Sequence, residues 1–408
     1  MQIAYDIVII GAGPAGLGFA ASMLDTNVNV LILERSDLED ISMPKVDGRE
    51  VALTHLSLKI LKKLGVWDLV DQTTVSPLRE AKVFDGDSPS LLNFKSDKAN
   101  IEALGYLVPN HKIRQALYNR VKDAKNITIQ TNTLADDVIQ LENSAQVVLV
   151  GGECIETKLV IAADSRFSSI RRKVGIPTLM KDFSKVMIIT KMMHEKSHEN
   201  IALECFDYGR TLALLPMIGD ASSVVLTVKT DESKKILEMN EAEFNEMITS
   251  SFKASLGEMT QSGKRHSYPL VATHAQTFIA KRFALIGDAA VGMHPVTAHG
   301  YNLGLRGQDI LATLIKEALE HGQDVGSSSL LKLYEKKHIN LTRLMFFGTN
   351  GIVALFTNDA PVIKQVRKMV LKFAENFPPI KYLISNQLTE AKSNKFAPFE
   401  KILKKLPF

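Results

Sequence analysis

The run Asp6-Ile7-Val8-Ile9-Ile10 leads without a break into Gly11-Ala12-Gly13-Pro14-Ala15-Gly16, and this junction constrains the chain more than any other feature. A continuous apolar stretch of that length fits a strand buried on both faces, as in a parallel sheet. Small and apolar residues follow to about Leu24 as a helix, and Val30 to Leu33 is a second buried strand ending at Glu34. Together they make a βαβ unit. Gly11 permits the tight turn, Gly13 lets backbone approach a pyrophosphate, and Gly16 allows helix to pack closely on strand. Pro14 and Ala15 open the helix, whose first N–H groups and partial positive charge suit phosphates. Glu34 lies 18 residues after Gly16, with Arg35 beside it, and can accept hydrogen bonds from ribose hydroxyls. The unit predicts a bound dinucleotide; by itself it leaves NAD and FAD open.

Further along, Leu56 to Leu64 reads as a helix, while Ile127 to Gln130, Gln146 to Val150 and Lys158 to Ala163 read as strands. From about Phe183 to Tyr268 come strand-like runs at Val186 to Lys191, Leu212 to Pro216 and Ser223 to Val228, with one helix near Glu241 to Phe252. Arg282 to Ile286 is another buried strand, ending at Gly287-Asp288, and everything after Gly304 reads as helical. The dinucleotide fold is therefore interrupted and resumed. The predicted class is α/β: a Rossmann-like domain of residues 1–75, 106–178 and 282–325, interrupted by a sheet substrate domain of residues 76–105 and 179–281. A helical, basic C-terminal region, 326–408, completes it.

The chain's 408 residues suffice for two or three domains and a sizeable buried site. Its net charge of +4 is unevenly spread. Residues 361–408 hold ten Lys or Arg against Glu375, Glu390 and Glu400, leaving the rest of the chain at −3. Phe396, Phe399, Ile402, Leu403, Leu406 and Phe408 interleave with the bases, so this tail suits either an anionic membrane surface or a solvated helical face. No recognition motif accompanies the charge, which disfavours nucleic acid. Cys154 and Cys205 are too few for a disulfide framework and lack metal or redox spacing, so they read as reduced, partly buried thiols with no metal site. No long uncharged apolar run stands out, and the expected location is cytoplasmic, with peripheral contact on the inner membrane face through the tail.

The second half carries Gly287-Asp288-Ala289-Ala290, then His294-Pro295, then His299-Gly300-Tyr301-Asn302-Leu303-Gly304. These motifs resemble the aromatic-ring hydroxylases of the flavin monooxygenase class. The resemblance implies FAD, with the ribityl chain at Asp288 and the isoalloxazine ring beside Pro295, Gly300, Tyr301 and Asn302. A helix N-terminus there would stabilise the negative charge of reduced flavin. Ala163-Asp164-Ser165-Arg166 resembles the family's Asp-Gly motif, with Ser165 in place of glycine, and implies a pyrophosphate role for Asp164. Asp47-Gly48-Arg49-Glu50-Val51-Ala52-Leu53 and Ile113-Arg114-Gln115 resemble segments whose arginines, here Arg49 and Arg114, reach the flavin phosphates. Leu134 falls where a backbone contact to adenine is implied.

His294-Pro295 followed by His299 to Arg306 resembles the ubiquinone-biosynthesis hydroxylases, the UbiH/UbiF group, with His299 where many relatives carry Gln. Asp47 to His55, Glu204 to Arg210 and Gly287 to Arg306 look closest to the UbiM branch, linked to 5-demethoxyubiquinol hydroxylation. The implied activity is hydroxylation of a polyprenylated phenol or quinol ring with NAD(P)H and O2, through a flavin C4a-hydroperoxide. Implied partners are that substrate and other ubiquinone-biosynthesis proteins. His299 and Tyr208 are candidates for taking the phenol's proton by motif proximity alone, so no catalytic residue is assigned. A soluble phenol hydroxylase is the nearest alternative, and a non-catalytic flavin-bound scaffold a second. A halogenase needs a tryptophan-rich signature that Trp67 alone cannot build, and a prenyl-chain reductase would incorporate no oxygen.

Overall fold

The strand Tyr5–Ile10 has parallel neighbours on both sides, Val30–Leu33 and Cys154–Ala162, which explains its unbroken apolar sequence. The computed structural model describes residues 4–85, 92–96, 101–207, 210–297, 299–357 and 390. Ile127–Gln130 pairs in parallel outside Val30–Leu33, and Phe283–Leu285 pairs in parallel outside Cys154–Ala162. A hairpin, Ala135–Gln140 with Ala145–Leu149, extends the same eight-stranded sheet. Helix Pro14–Ser22 packs between the helices Asn110–Val121 and Gly300–Glu320. Ile7, Ile9, Phe19, Leu31 and Ile161 are fully buried in the core they share.

A second, nine-stranded sheet is antiparallel apart from the pair Glu80–Asp85 and Ile201–Asp207. Its long central strand, Thr178–His194, is flanked by Ala221–Lys229 and His266–Ala275. Strands alternate their faces with period two. One face presents Ile188, Leu212, Leu214, Val224 and Leu226 to the helices Thr230–Glu238 and Glu241–Ser251. The other presents Met187, Ile189, Val225 and Phe206 toward the flavin-type domain, where Phe206 stacks near Phe356 with ring centroids 4.1 Å apart. A three-stranded sheet, Glu50–Leu53, Gly105–Pro109 and Ser76–Leu78, lies at the junction.

The helical region begins at Gly300, ahead of the Gly304 expected, because the Gly-rich loop is itself the first turn of helix Gly300–Glu320. Cys154 is exposed rather than partly buried, since it opens its strand at the solvent end; Cys205 is half-buried. Helix Ser328–Thr357 follows, and its stretch Ser328–Phe356 is long and apolar enough to cross a membrane by length and composition. Its side bearing Tyr334, His338, Thr342 and Phe346 is nonetheless buried in the protein, with the Tyr334 hydroxyl donating to the Leu285 carbonyl at 2.7 Å. The basic residues from Lys364 to Lys405 and Tyr208 lie outside the described residues.

Candidate FAD and ring-hydroxylation site

The carboxyl ends of the parallel strands converge where this class of sheet binds ligands. Gly11 follows the first strand with φ +110°, and a side chain there would meet the Ala163 carbonyl at 2.7 Å. This contact brings the first glycine motif against Ala163-Asp164. Gly16 is closer still: an added Cβ would lie 2.0 Å from the Gly11 carbonyl oxygen, so helix and strand touch through backbone. The helix that follows has Gly13 as N-cap and no side-chain cap, which leaves its first turn directed at a ligand. Pro14 and Ala15 are the first residues of that turn.

Glu34 ends the second strand beside this turn. Its carboxylate accepts hydrogen bonds from Ala12 N–H at 2.7 Å and Ser36 N–H at 3.0 Å, which fixes it at the ribose position. Asp164 ends the third strand, and burial pushes its carboxyl up; its Oδ1 is buried without a hydrogen-bond partner. An orphaned buried acceptor needs an explanation. A bound ribose or ribityl hydroxyl supplies the missing donor, so the residues present fit FAD.

Gly287-Asp288 ends the strand next to Asp164's. Asp288 is ion-paired with Arg166 at 2.9 Å, and Arg166 also donates to the Val271 carbonyl. This ties the Asp164 motif, the Gly-Asp turn and the second sheet into one unit. The buried Arg171 guanidinium donates to the Ala289 carbonyl at 2.6 Å and the Arg166 carbonyl at 3.0 Å. Pro295 is exposed in a short turn, Pro295–Thr297. Gly300 then begins a 21-residue helix whose N-cap, His299, makes no side-chain cap. Tyr301 projects inward with its hydroxyl buried and unpartnered, and burial pushes its phenol up. The Asn302 side chain accepts from Thr54 N–H at 3.1 Å and donates to the Ala52 carbonyl at 2.8 Å, fixing the helix start to the strand Glu50–Leu53.

Arg35 is exposed. Arg49 pairs with Asp47 at 2.6 Å and lies over the Tyr268 ring. Arg114 donates to the Asp40 carbonyl at 3.2 Å. Leu134 is exposed, and its carbonyl accepts from Val150 N–H at 2.9 Å.

Several residues escaped the sequence reading. Arg166 was part of a quoted motif, but its pairing with Asp288 crosses 122 positions. Burial holds His294 down to about 4, helped by Lys185, Arg166 and Lys181. Its Nδ1 accepts from Val296 N–H at 3.2 Å, so the ring is neutral with the proton on Nε2, and its ring meets Phe183 edge-on. Glu50 lines a pocket of ≈ 90 Å³ with Arg49, His111, Lys191 and Ser223, between the three-stranded and nine-stranded sheets. Burial and the Asp47 charge push its carboxyl up to about 8. Glu204, on the second sheet, is raised to about 8 by burial alone.

Comparison with known proteins agrees with this geometry. The family described as "FAD binding domain" matches residues 4–345. Ubiquinone hydroxylase UbiM of Neisseria meningitidis is 45% identical over 95% of this chain and 85% of its own length. Ubiquinone hydroxylase UbiL of Rhodospirillum rubrum is 31% identical over 93% of this chain and 88% of its own. Among solved structures, p-nitrophenol 4-monooxygenase PnpA from Pseudomonas putida superposes with TM-score 0.76 at 17% identity, covering 95% of this chain and 99% of that one. PqsL from Pseudomonas aeruginosa superposes with TM-score 0.75 at 16% identity, covering 90% and 99%, which is a likeness of fold. With glycine turn, paired Asp motifs and ring-side helix brought together on this fold, the chain belongs to the ubiquinone-hydroxylase family of FAD-dependent aromatic monooxygenases.

Proposed function

We propose that the chain hydroxylates the aromatic ring of a polyprenylated phenol or quinol intermediate of ubiquinone biosynthesis, with NAD(P)H and O2. The observation that carries this reading is the 45% identity to UbiM extending over nearly the whole chain, second sheet included. When bound, FAD supplies the redox chemistry, accepting hydride from NAD(P)H and delivering one oxygen atom to the ring.

The chain's own residues hold, orient and desolvate. The first turn of helix Pro14–Ser22 holds pyrophosphate, Glu34 the adenosine ribose, and Asp164 and Asp288 the hydroxyls nearer the ring. The start of helix Gly300–Glu320 places its positive end where reduced flavin carries negative charge. Neutral His294 and the Phe183, Met293 and Val291 side chains keep water from the reacting side. The inner face of the second sheet, with Met187, Ile189, Val225 and Leu270, offers an apolar wall to ring and prenyl chain. In this reading residues 1–75, 106–178 and 282–325 bind the cofactor, and residues 76–105 and 179–281 bind the substrate. Contact with a membrane surface is supported by Leu333, Phe347 and Ile352, exposed on helix Ser328–Thr357.

The quinone lipids of a ubiquinone-producing host stripped of its own ring hydroxylases, with and without this chain, test the reading. Restored ubiquinone, or a shift to a later intermediate, is expected. An unchanged profile from folded, FAD-loaded protein overturns it in favour of a water-soluble phenol.

A further inference from the structure

We propose that Glu204 is the residue that holds the substrate's ring hydroxyl and receives its proton. This rests on the phenol-hydroxylase reading above and adds the group that sequence motifs left unassigned.

The placement follows from strand register. In Ile201–Asp207, Leu203 and Cys205 pack on the helix-covered side of the second sheet. Glu204 therefore shares the opposite face with Ala202 and Phe206. Phe206 belongs to a cluster with Phe356 and Val296, and Val296 lies in the turn Pro295–Thr297 that the family places at the flavin ring. Two residues along a strand span about 7 Å, which puts Glu204 beside that cluster and over the same space.

Across the sheet Glu204 pairs with Val83 on one side and Ala213 on the other, with Val225 and Ile189 next in the row. It is thus a carboxyl set into an apolar row. The neighbour across the pair, Ala213, carries only a methyl side chain. No hydrogen bond or ion pair reaches its carboxyl among the described residues, yet burial dominates its environment while part of the residue stays accessible. A buried acid without a partner costs free energy that only a ligand's polar group offsets.

The surroundings leave its charge uncompensated. The other titratable groups on this face of the described strands are Lys185, Lys191, Lys229, His266 and Tyr268, with Arg49 and Glu50 on the segment that meets it at Lys191. Asp85 pairs with Phe206 by register. The covering helix end, Leu344–Phe356, carries no charged residue, and the turn Pro295–Thr297 carries none. A carboxyl so raised is mostly protonated at neutral pH, and its ionised fraction, which grows as pH rises toward about 8, takes the phenol's proton. The phenol O–H bond breaks, the proton passes to a Glu204 oxygen, and the bonding pair stays on the ring oxygen, enriching the carbons that accept oxygen. Glu204 then returns the proton to the ring oxygen as the hydroxylated carbon gives up its hydrogen to water.

The test uses FAD-loaded full chain with two probes, 2-prenylphenol and its methyl ether, and the variants Glu204→Gln and Glu204→Leu. Binding is read from the perturbed flavin absorbance, and single-turnover hydroxylation from product. Wild type is expected to prefer phenol over ether by about tenfold, one hydrogen bond's worth. Its hydroxylation rate is expected to rise about tenfold per pH unit up to the ionisation of the base. Glu204→Gln, which still bonds a hydroxyl, keeps the preference and loses the pH rise; Glu204→Leu loses the preference. FAD content and thermal unfolding establish that both variants are folded, and if Glu204→Leu is not, the pH profile of Glu204→Gln decides. Hydroxylation by wild type with the same pH rise in Glu204→Gln overturns the role of Glu204 and leaves the phenol-hydroxylase reading standing. Failure of wild type to hydroxylate 2-prenylphenol overturns that reading, and this inference with it.

Discussion

Acidification sets two groups of buried residues against each other, and their balance can be worked out. Burial holds His274 and His294 down to about 4 and His338 down to about 3, from an ordinary 6.5. The unfolded chain therefore binds protons first as pH falls, and stability is lost from pH 6.5 downward through the folded values. Between pH 7 and pH 5 each histidine removes about 2 kcal/mol, or roughly 6 kcal/mol for the three. Glu50 and Glu204 have the opposite sign. Raised to about 8 from 4.5, they destabilise the fold at neutral pH and release that penalty as pH falls toward 4.5. Together they return about 5 kcal/mol over the same interval. The wild-type profile is thus nearly flat from pH 7 to pH 5. Below pH 5 the carboxyls are almost spent while the histidines continue, and a net loss of about 2 kcal/mol follows by pH 4. Urea unfolding at saturating FAD, repeated at each pH, measures this. The double variant Glu50→Gln/Glu204→Gln removes the compensating pair and exposes the loss from these three histidines, about 6 kcal/mol between pH 7 and pH 5, to which His111 and His194, also lowered by burial, add in the same direction. Equal slopes for wild type and double variant in that window would refute the reasoning.

Three further outcomes follow from the site and the core. Gly16→Ala places a Cβ 2.0 Å from the Gly11 oxygen, so helix and strand must separate; purified protein should lose most of its flavin absorbance and unfold at lower temperature. Tyr334→Phe leaves the buried Leu285 carbonyl without its donor and should cost about 1–3 kcal/mol in urea unfolding. Glu34→Ala removes the acceptor that orders Ala12 and Ser36 and should weaken FAD affinity at least about tenfold in fluorescence titration; unchanged affinity would place the ribose elsewhere.

The cofactor half of the molecule was legible because a doubly buried parallel strand writes its burial as an unbroken apolar run. Val30–Leu33 and Ile127–Gln130 have the bounds that composition alone suggests. The second sheet was harder. Thr178–His194 was visible only at Val186 to Lys191, since its first half is largely exposed and carries Lys181, Asp182 and Lys185. Ala135–Gln140 holds Asp136 and Asp137, which sequence propensity assigns to turns. Helix Thr230–Glu238 starts directly from a strand with no side-chain cap, so nothing announced it. At the site, the glycines and strand-end acids were readable because local geometry demands them. Glu204 and Glu50 were not, because what distinguishes them is burial created by segments far away in the chain, and the Arg166–Asp288 pair has no local spacing at all.

The pairing of Phe283–Leu285 with Val160–Ala162 has a consequence for how the molecule is made. A ribosome must complete the whole intervening sheet before it releases the strand that closes the first one. Until then the hairpin strand Ala145–Leu149 covers only Cys154 to Thr157, and the apolar edge of Val160 to Ala162 stands open and unpaired, the kind of edge that recruits other chains. Contacts that distant in sequence also form slowly. The newborn chain should therefore pass through a sticky, half-closed stage in which its flavin groove lacks the Gly287-Asp288 wall, and free FAD should speed escape from that stage only after residue 288 has emerged.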